Sequence, residues 1–460
     1  MEQGIVKEGK LVHITQTLSE FVYELKYEDL PYEVVLTTQK YILDYYAACF
    51  AGMKVNKNFN EAVLDVVLDM GGKQECDFIL SDRRIPCANA AFLSACYAHG
   101  ADMDDGNSKA MGHIGAHVIS TVMTLAQVLH SDGKQVVTAI NVGYDIYNRI
   151  AAALQPGLVR RGFHSTGTVG AIACGAACAK LMGMDVQGIY YTMALCAIQA
   201  SGLILIAESG QCCKPINPAN AAKTGIMSAR IIEKGIESSW YPLESSKGFF
   251  HAMSDEVDEE ILLKDLGKTF TICESYMKPY PSCRHTHCGI DCVLALREKI
   301  AAIDEIESIK VYIYGNAIRI AGQIIEPKTS DDTKFSIHYS MAAALVRGHF
   351  NLSDLDISGV EQLRPLIGKI ELIEDESMED RSCGVRGCRT VIRMSDGTEY
   401  EEMVRIPYGD ATNPMGIEDL CKKLNDCADG ILSQQQQDVL VKNILGIEQM
   451  HKIDTINLYK

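Results

Sequence analysis

Residues 278–287 read Lys-Pro-Tyr-Pro-Ser-Cys-Arg-His-Thr-His, a run that packs two histidines, an arginine, a lysine and a cysteine around two prolines. The prolines fix φ and remove two N–H donors, so the run is neither an ordinary helix nor a central strand. A stiff connector that sets Arg284, His285 and His287 at a helix entrance can hold a carboxylate beside a proton-transfer base. The competing reading is a polar surface loop. Thr286 is the predicted N-cap of a helix over 286–300, with His287 in its first turn and Asp291 on the same face. The positive end of that helix favours a neutral imidazole, which makes His287 a candidate base near pH 7. A zinc site from Cys283, His285, His287 and Cys288 fails on spacing, because adjacent His287 and Cys288 point apart and tetrahedral sites normally draw on two separated pairs. Cys383 and Cys388 have no second pair either.

Three further segments carry similar chemistry. Between His99 and His117 lie Asp102, Asp105 and His113. Asp102 and Asp105 are three apart and share a face if they end a helix. The EF-hand template fails, with Asn107 at its glycine position and His113 at its final glutamate. A mononuclear Asp/His metal site and a loop whose acids position His113 both stay open. In Arg160–Thr168, Ser165 or Thr166 is the predicted N-cap of a helix. That puts His164 at a positive helix end, where anions bind and an imidazole stays neutral; a capped helix with an incidental histidine is the alternative. Lys214 precedes Pro215, so it is expected before a helix in extended backbone, able to hold a carboxylate as a point charge or simply solvated. Cys212 and Cys213 have no obvious paired base. A Walker A sequence is absent, and Gly167-Thr-Val-Gly170 lacks the strand–turn–helix setting of a dinucleotide site.

These segments must be positioned by a chain of 460 residues, long enough for two or three domains. A net charge of −17 argues against nucleic-acid binding, which needs clustered Lys and Arg. Anion-binding cations must therefore be local. The 17 cysteines leave at least one thiol unpaired. Many (Cys49, Cys96, Cys174, Cys178, Cys196) sit in apolar helical text, where a thiol acts as a small hydrophobe. With no apolar stretch in Met1–His13, a cytoplasmic, reduced protein is expected. The most apolar window, 193–207, is too short to span a bilayer and is predicted to be a buried helix, so no membrane partner is expected.

Apolar spacing predicts helices over 15–27, 31–52, 59–68, 88–99, 120–130, 134–154, 166–182, 184–201 and 217–234. Several are rich in Ala, Gly, Cys and Ser, which implies close helix packing. The texture changes near Leu266: strands are predicted at 270–272, 306–314, 369–373, 390–394 and 399–405, with helices at 286–300 and 337–348. Asn413-Pro414 is expected to start a final helical stretch through Leu445. The acidic run 371–380 reads as a solvated face, lacking ligand spacing.

Taken in order, the segments resemble the MmgE/PrpD family, which includes 2-methylcitrate dehydratase, cis-aconitate decarboxylase and iminodisuccinate epimerase. The matching text is Asp102-Met-Asp-Asp105 with His113; Gly162-Phe-His-Ser-Thr-Gly-Thr-Val-Gly170; Lys214 with Ala219-Asn-Ala-Ala-Lys-Thr-Gly225; Tyr280–His287 with Asp291; Lys334-Phe-Ser-Ile-His-Tyr339; and Gly409-Asp-Ala-Thr-Asn-Pro414. The resemblance implies a mainly α protein with an α+β part: a large all-helical domain from both chain ends (1–265 and 410–460) and a smaller inserted α+β lid domain (266–409). It also implies a homodimer, no metal and no organic cofactor. The implied catalytic residues are Asp102, His113, His164 and His287, with Lys214, Arg284 and His285 binding substrate and Arg284 a bidentate carboxylate clamp. The implied activity is a metal-independent lyase, hydratase/dehydratase or decarboxylase in type, acting by proton transfer next to a carboxylate of a small di- or tricarboxylate. An epimerase of a small dicarboxylate such as iminodisuccinate, or an inactive carboxylate-binding member, are the alternatives. The chain departs from the decarboxylase pattern at Gly106, where a Thr is expected, at Ile114, where a Pro is expected, and near Asn316–Arg319, where an active-site Tyr has no clear counterpart.

Overall fold

The computed structural model describes residues 5–7, 10–81, 83–208, 212–380, 385–454 and 458–459. Gln211 and Cys383 lie outside the described residues. The chain divides into two compact units: unit 1 comprises 1–100, 104–275 and 420–460, and unit 2 comprises 101–103 and 276–419.

Unit 1 is mainly helical. Its helices are α1 (Ile14–Glu24), α2 (Tyr32–Val55), α3 (Lys57–Met70), α4 (Cys87–His99), α5 (Gly115–Leu129), α6 (Gly133–Leu154), α7 (Gly157–Arg160), α8 (Ser165–Leu181), α9 (Val186–Ala197), α10 (Leu205–Glu208), α11 (Ile216–Ile232), α12 (Phe249–Met253) and α13 (Glu259–Leu263). Two short antiparallel ribbons accompany the helices, β1 (Ile5–Lys7) with β2 (Lys10–Val12) and β3 (Cys76–Asp77) with β4 (Arg84–Ile85).

Start signals are local. Asp132 accepts from the N–H of Gln135 to begin α6, and Asp185 accepts from Gly188 to begin α9. Small residues bring the axes together, as their abundance implied. A Cβ on Gly225 of α11 would sit 2.4 Å from Cys174 Cβ of α8, and one on Gly175 would sit 2.4 Å from Cys196 Sγ of α9. Around this contact the thiols of Cys174, Cys178 and Cys196 are fully buried.

The sheet of unit 2 runs β10-β9-β5-β6, with β5 (Ile306–Ile313) parallel to β6 (Ile370–Glu374) and antiparallel to β9 (Cys388–Met394), which pairs with β10 (Glu399–Val404). A two-residue ribbon, β7 (Glu379–Asp380) with β8 (Val385–Arg386), precedes β9. Alternate residues Cys388, Thr390, Ile392 and Met394 are buried, so one face of β9 is covered, and α14 (His287–Arg297) packs on β9 and β10. The parallel β5–β6 pair needs a long crossover, supplied by α15 (Gly315–Ala321), α16 (Ser330–Thr333), α17 (Ile337–Arg347) and α18 (Val360–Ile367). The chain then forms α19 (Ile417–Ala428) and α20 (Gln434–Leu445).

Four expectations fail for stated reasons. The strand expected at 270–272 is a single-turn helix over Thr271–Glu274, because Asp145 of α6 accepts from the Thr271 N–H and Asn148 donates to its carbonyl. The last helix does not start at Pro414: Asp410 and Asn413 close a turn, and helix begins at Ile417. The apolar window 193–207 is not one buried helix. It leaves α9 at Ala197, and Leu203 pairs with Phe163 instead, which leaves Ile198 64% and Leu203 57% exposed. Finally, Asp102 and Asp105 share no helical face, since 101–114 is loop and Asp102 sits at φ +53°. No described helix is long and apolar enough to cross a membrane.

Candidate functional site

In unit 1 the loop that ends α4 and leads into α5 is tied down from inside. Asn107 Oδ1 accepts from the N–H groups of Lys109 and Ala110, and Asn107 pairs with Gly112 through a backbone bridge. Asp105 is buried as an anchor, accepting from Tyr144 OH at 2.8 Å and from Gly115 N–H at 2.7 Å. Burial, then the neighbouring Asp104 charge, push the Asp105 carboxyl up to about 8. Gly115 is required here, because a Cβ would lie 2.7 Å from Asp105 Oδ1.

This loop brings three polar side chains together. Asp104 Oδ2 lies 2.8 Å from His99 Nδ1 and 3.4 Å from His113 Nδ1, and the two rings meet edge to face at 4.7 Å between centroids. His113 Nδ1 is also 2.8 Å from the Asp105 carbonyl oxygen. A carbonyl and a carboxylate only accept, so His113 Nδ1 carries a proton, and in the neutral ring Nε2 carries the lone pair. Behind them His117 is fully buried, and burial lowers its imidazole to about 3.

The second and third segments meet the first. His113 N–H donates to Thr166 Oγ1 in the first turn of α8. His164 itself occupies the N-cap position, one residue earlier than expected, and makes no side-chain cap. Ser165 is not the cap: its hydroxyl donates to the Met111 carbonyl and accepts from Tyr147. The His164 N–H donates to the Gly202 carbonyl, and Gly162 accepts from Ile204, so the piece of chain that leaves α9 aligns this histidine. Asn217, in the first turn of α11, places Nδ2 at 2.9 Å from His164 Nδ1 and 3.3 Å from the Leu203 carbonyl. The carbonyl fixes that atom as the amide NH2, so His164 Nδ1 accepts and Nε2 carries the proton. Lys214 stands before α11, as its place ahead of Pro215 implied, and its carbonyl accepts from Asn217 N–H.

Unit 2 gathers the other predicted residues. Met277 N–H donates to the Gly409 carbonyl, where a Cβ would lie 2.3 Å from Met277 O, and Cys283 N–H donates to the Lys334 carbonyl. Those contacts unite three of the six sequence motifs at 277–287. Arg284 is buried. Its Nη1 donates to the Tyr408 carbonyl at 3.0 Å and to His287 Nδ1 at 3.2 Å, its Nη2 faces the Pro407 carbonyl and Asp410 Oδ2, and its guanidinium lies 4.5 Å over the Tyr276 ring. A guanidinium cannot accept, so His287 Nδ1 does, and its protonated Nε2 faces the Ser282 carbonyl at 3.3 Å. Burial, then Arg284, hold the His287 imidazole well below its usual range. Asp291 does not meet His287; it accepts from Tyr280 OH and Tyr408 N–H. Thr286 is the N-cap position of α14, but its hydroxyl donates to the Cys283 carbonyl instead of capping.

His285 Nδ1 and Tyr314 OH are 2.6 Å apart. Burial, followed by the charges of Arg386, Lys278, Arg284 and Arg319, lowers His285 to about 3. A chain with a net charge of −17 thus concentrates cations around one histidine. Asp102 falls in unit 2, where the buried Lys278 amine donates to its carbonyl at 2.7 Å and lies 3.4 Å from its carboxylate.

Sequence reasoning missed His99, Asp104, Asn217, Lys278, Tyr314 and Arg386. Signals existed for some: His99 and Asp104 share the loop of Asp102, Asn217 follows Lys214 by three, and Lys278 opens the 278–287 run. His99, Asp104 and His113 are also among the described residues whose ligand atoms crowd within 4.8 Å of one another. Both imidazole Nδ1 atoms act as donors to oxygen there, an arrangement that serves a hydrogen-bonded relay and equally leaves each Nε2 as the nitrogen a metal would use.

Comparison with known proteins agrees with this arrangement of motifs. The MmgE/PrpD N-terminal domain matches residues 16–261 and the MmgE/PrpD C-terminal domain matches 280–446. The chain is 24% identical to the cis-aconitate decarboxylase of Aspergillus terreus over 96% of this chain and 95% of that one. It is 24% identical to the human cis-aconitate decarboxylase (96% and 93%) and 23% identical to the cis-aconitate decarboxylase-like protein oryM of Aspergillus oryzae (95% of each). Matched by both domain profiles over most of its length, the chain belongs to the MmgE/PrpD family.

Proposed function

We propose that this protein is a lyase of the decarboxylase or dehydratase type, acting on a small di- or tricarboxylate without metal or organic cofactor. The observation that carries the reading is the opposite tautomers of two histidines in unit 1. His113 presents a lone pair at Nε2, the form of a base, and His164 presents a proton at Nε2, the form of an acid. The cis-aconitate decarboxylases among the relatives add support for the reaction class.

In a dehydration the C–H bond next to a carboxylate breaks and its proton goes to His113. The electron pair becomes the new C=C bond, and the departing hydroxyl takes the His164 proton and leaves as water. In a decarboxylation the C–C bond to the lost carboxylate breaks, carbon dioxide leaves, and the carbon that receives the electron pair takes the His164 proton. Either route builds negative charge next to a carboxylate, which nearby cations must stabilise. Lys214 is the proposed point charge in unit 1.

In unit 2 we assign His285 to substrate binding. Burial keeps the Tyr314 phenol protonated, and we assign it as the donor to His285 Nδ1, which leaves Nε2–H to donate to an anion. Tyr314 stands two residues before the Asn316 neighbourhood in which the family's tyrosine lacks a counterpart. Arg284 and His287 take positioning roles in this reading, since both Nη groups of Arg284 and both ring nitrogens of His287 are engaged within unit 2. Asp102, paired with Lys278, orients that amine.

The test is incubation with citrate, methylcitrate, cis-aconitate and iminodisuccinate in heavy water, followed by mass spectrometry and NMR. Loss of carbon dioxide or water with one deuterium incorporated at carbon, or loss of the α-proton, supports the lyase. Deuterium exchange without net conversion identifies an epimerase instead. Saturable binding without exchange identifies an inactive binding protein.

A further inference from the structure

We infer that Asp104 is a positioning residue, whose carboxylate, itself held by His99, locks the His113 ring with Nε2 as its basic nitrogen. This inference rests on the assignment of His113 as a base and deepens it. Three distances carry it: 2.8 Å from Asp104 Oδ2 to His99 Nδ1, 3.4 Å to His113 Nδ1, and 2.8 Å from His113 Nδ1 to the Asp105 carbonyl. The carbonyl alone would set the tautomer. The carboxylate adds a charge that stabilises the imidazolium formed when His113 takes a proton.

His99 tempers that charge. Its Nδ1–H donates to Asp104, while its Nε2 is buried with no hydrogen-bond partner among the described residues. Other titratable groups around this cluster include Cys49 of α2, its thiol pushed up by burial and by Asp104, Asp44 of α2, paired with Lys423, Tyr144 of α6, its phenol pushed up by burial, His117 of α5, held neutral by burial, and Asp105 of the loop itself, whose carboxyl is held protonated to about pH 8 and bonded to Tyr144 and Gly115. Asp102 belongs to the same loop and pairs with Lys278. Asp104 thus places a carboxylate on the His113 ring at 3.4 Å.

The two partners of Asp104 give opposed expectations. Asp104→Asn removes the charge, so His113 holds its proton less tightly. The acidic limb of the kcat/KM profile should move to lower pH by about one unit, and kcat should fall about 10- to 100-fold, with KM within about twofold of wild type. His99→Phe strips a donor from Asp104, leaving more charge on His113, and should move the same limb to higher pH. Loss of packing alone would not shift the limb in opposite directions.

The companion measurement needs no substrate. With 15N-labelled histidine, the His113 ring should titrate with Nδ1 protonated and Nε2 as the titrating nitrogen, at a lower midpoint in Asp104→Asn than in wild type. Equal midpoints in correctly folded proteins, or a wild-type ring protonated at Nε2, overturn the inference. A shifted midpoint without turnover of any carboxylate would leave it standing and reject the lyase. Turnover with an unshifted midpoint would do the reverse.

Discussion

The histidines of unit 1 and those of unit 2 look alike in sequence and differ in how their ring nitrogens are used. In unit 1, His113 and His164 are each anchored through Nδ1, one as donor and one as acceptor, so their Nε2 atoms hold opposite protonation states. In unit 2, His287 has Arg284 on one nitrogen and the Ser282 carbonyl on the other, in a fully buried setting. The densest polar run in the chain therefore forms a tightly bonded framework, while two sparser segments hold the oppositely anchored imidazoles proposed as base and acid. Density of chemistry-bearing residue types is a weaker guide than the partner of each ring nitrogen.

The widest gap expected between the units is in turnover. His113→Gln and His164→Gln should each lower kcat by about 10²- to 10⁴-fold, the usual range for a lost acid or base, with KM little changed. His287→Gln should stay within about tenfold of wild type per folded molecule. Steady-state kinetics on protein shown folded by circular dichroism checks this. Equal losses at His113 and His287 would erase the distinction between the two units.

Stability should show the reverse order. Arg284→Lys keeps the charge but loses the fork that spans Tyr408, Pro407, Asp410 and His287. Leaving His287 Nδ1 and a buried carbonyl without donors should cost about 1–3 kcal/mol, read as a lower urea midpoint at an unchanged slope. A raised KM with an unchanged midpoint would return Arg284 to the role of substrate clamp.

Much of this architecture is legible in the sequence, and the exceptions share a cause. Helices α2, α6, α8 and α11 and strands β5, β6, β9 and β10 follow from apolar spacing, because their buried faces are set by period. Residues 270–272 have strand composition but meet the side chains of Asp145 and Asn148, more than a hundred residues away in sequence. The window 193–207 is apolar enough for helix, yet the chain turns out of it to pair with Phe163. At the site, the residue types could be read, but their tautomers could not. Those depend on Asn217 meeting His164 and on the Asp105 carbonyl meeting His113, which are contacts of backbone and amide that carry no spacing signal.

A smaller effect separates the two acids of the unit 1 loop. Asp105 is held protonated to about pH 8 against an ordinary carboxylate value, so the folded chain binds a proton that the unfolded chain has lost. That contribution is complete below about pH 4 and fades as pH rises through 8. Buried His117 and His285 act with the other sign: their depressed values stabilise the fold above about pH 6.5, and that support is lost as pH falls toward 3. Between pH 6.5 and 8 the Asp105 effect stands apart. Asp105→Asn should therefore gain on wild type across that window, by at most about 2 kcal/mol, in thermal melts at matched ionic strength. A constant difference between the two proteins would mean that Asp105 is ionised in the fold and that the loop carries two negative charges.

The smallest expected effect is none, and it bears on the same loop. If His99, Asp104 and His113 form a relay that works through hydrogen bonds alone, exhaustive chelation should leave both turnover and the melting temperature unchanged. A metal there would take ring lone pairs at Nε2 while each Nδ1–H stays a donor to oxygen. It would also abolish the contrast between the units, since His113 would be a ligand and no longer a base. Loss of activity on chelation, restored by zinc or iron and accompanied by a fall in melting temperature, would establish that outcome. Unchanged activity would leave the charge on Asp104 as the feature that distinguishes His113 from the bonded framework of His287.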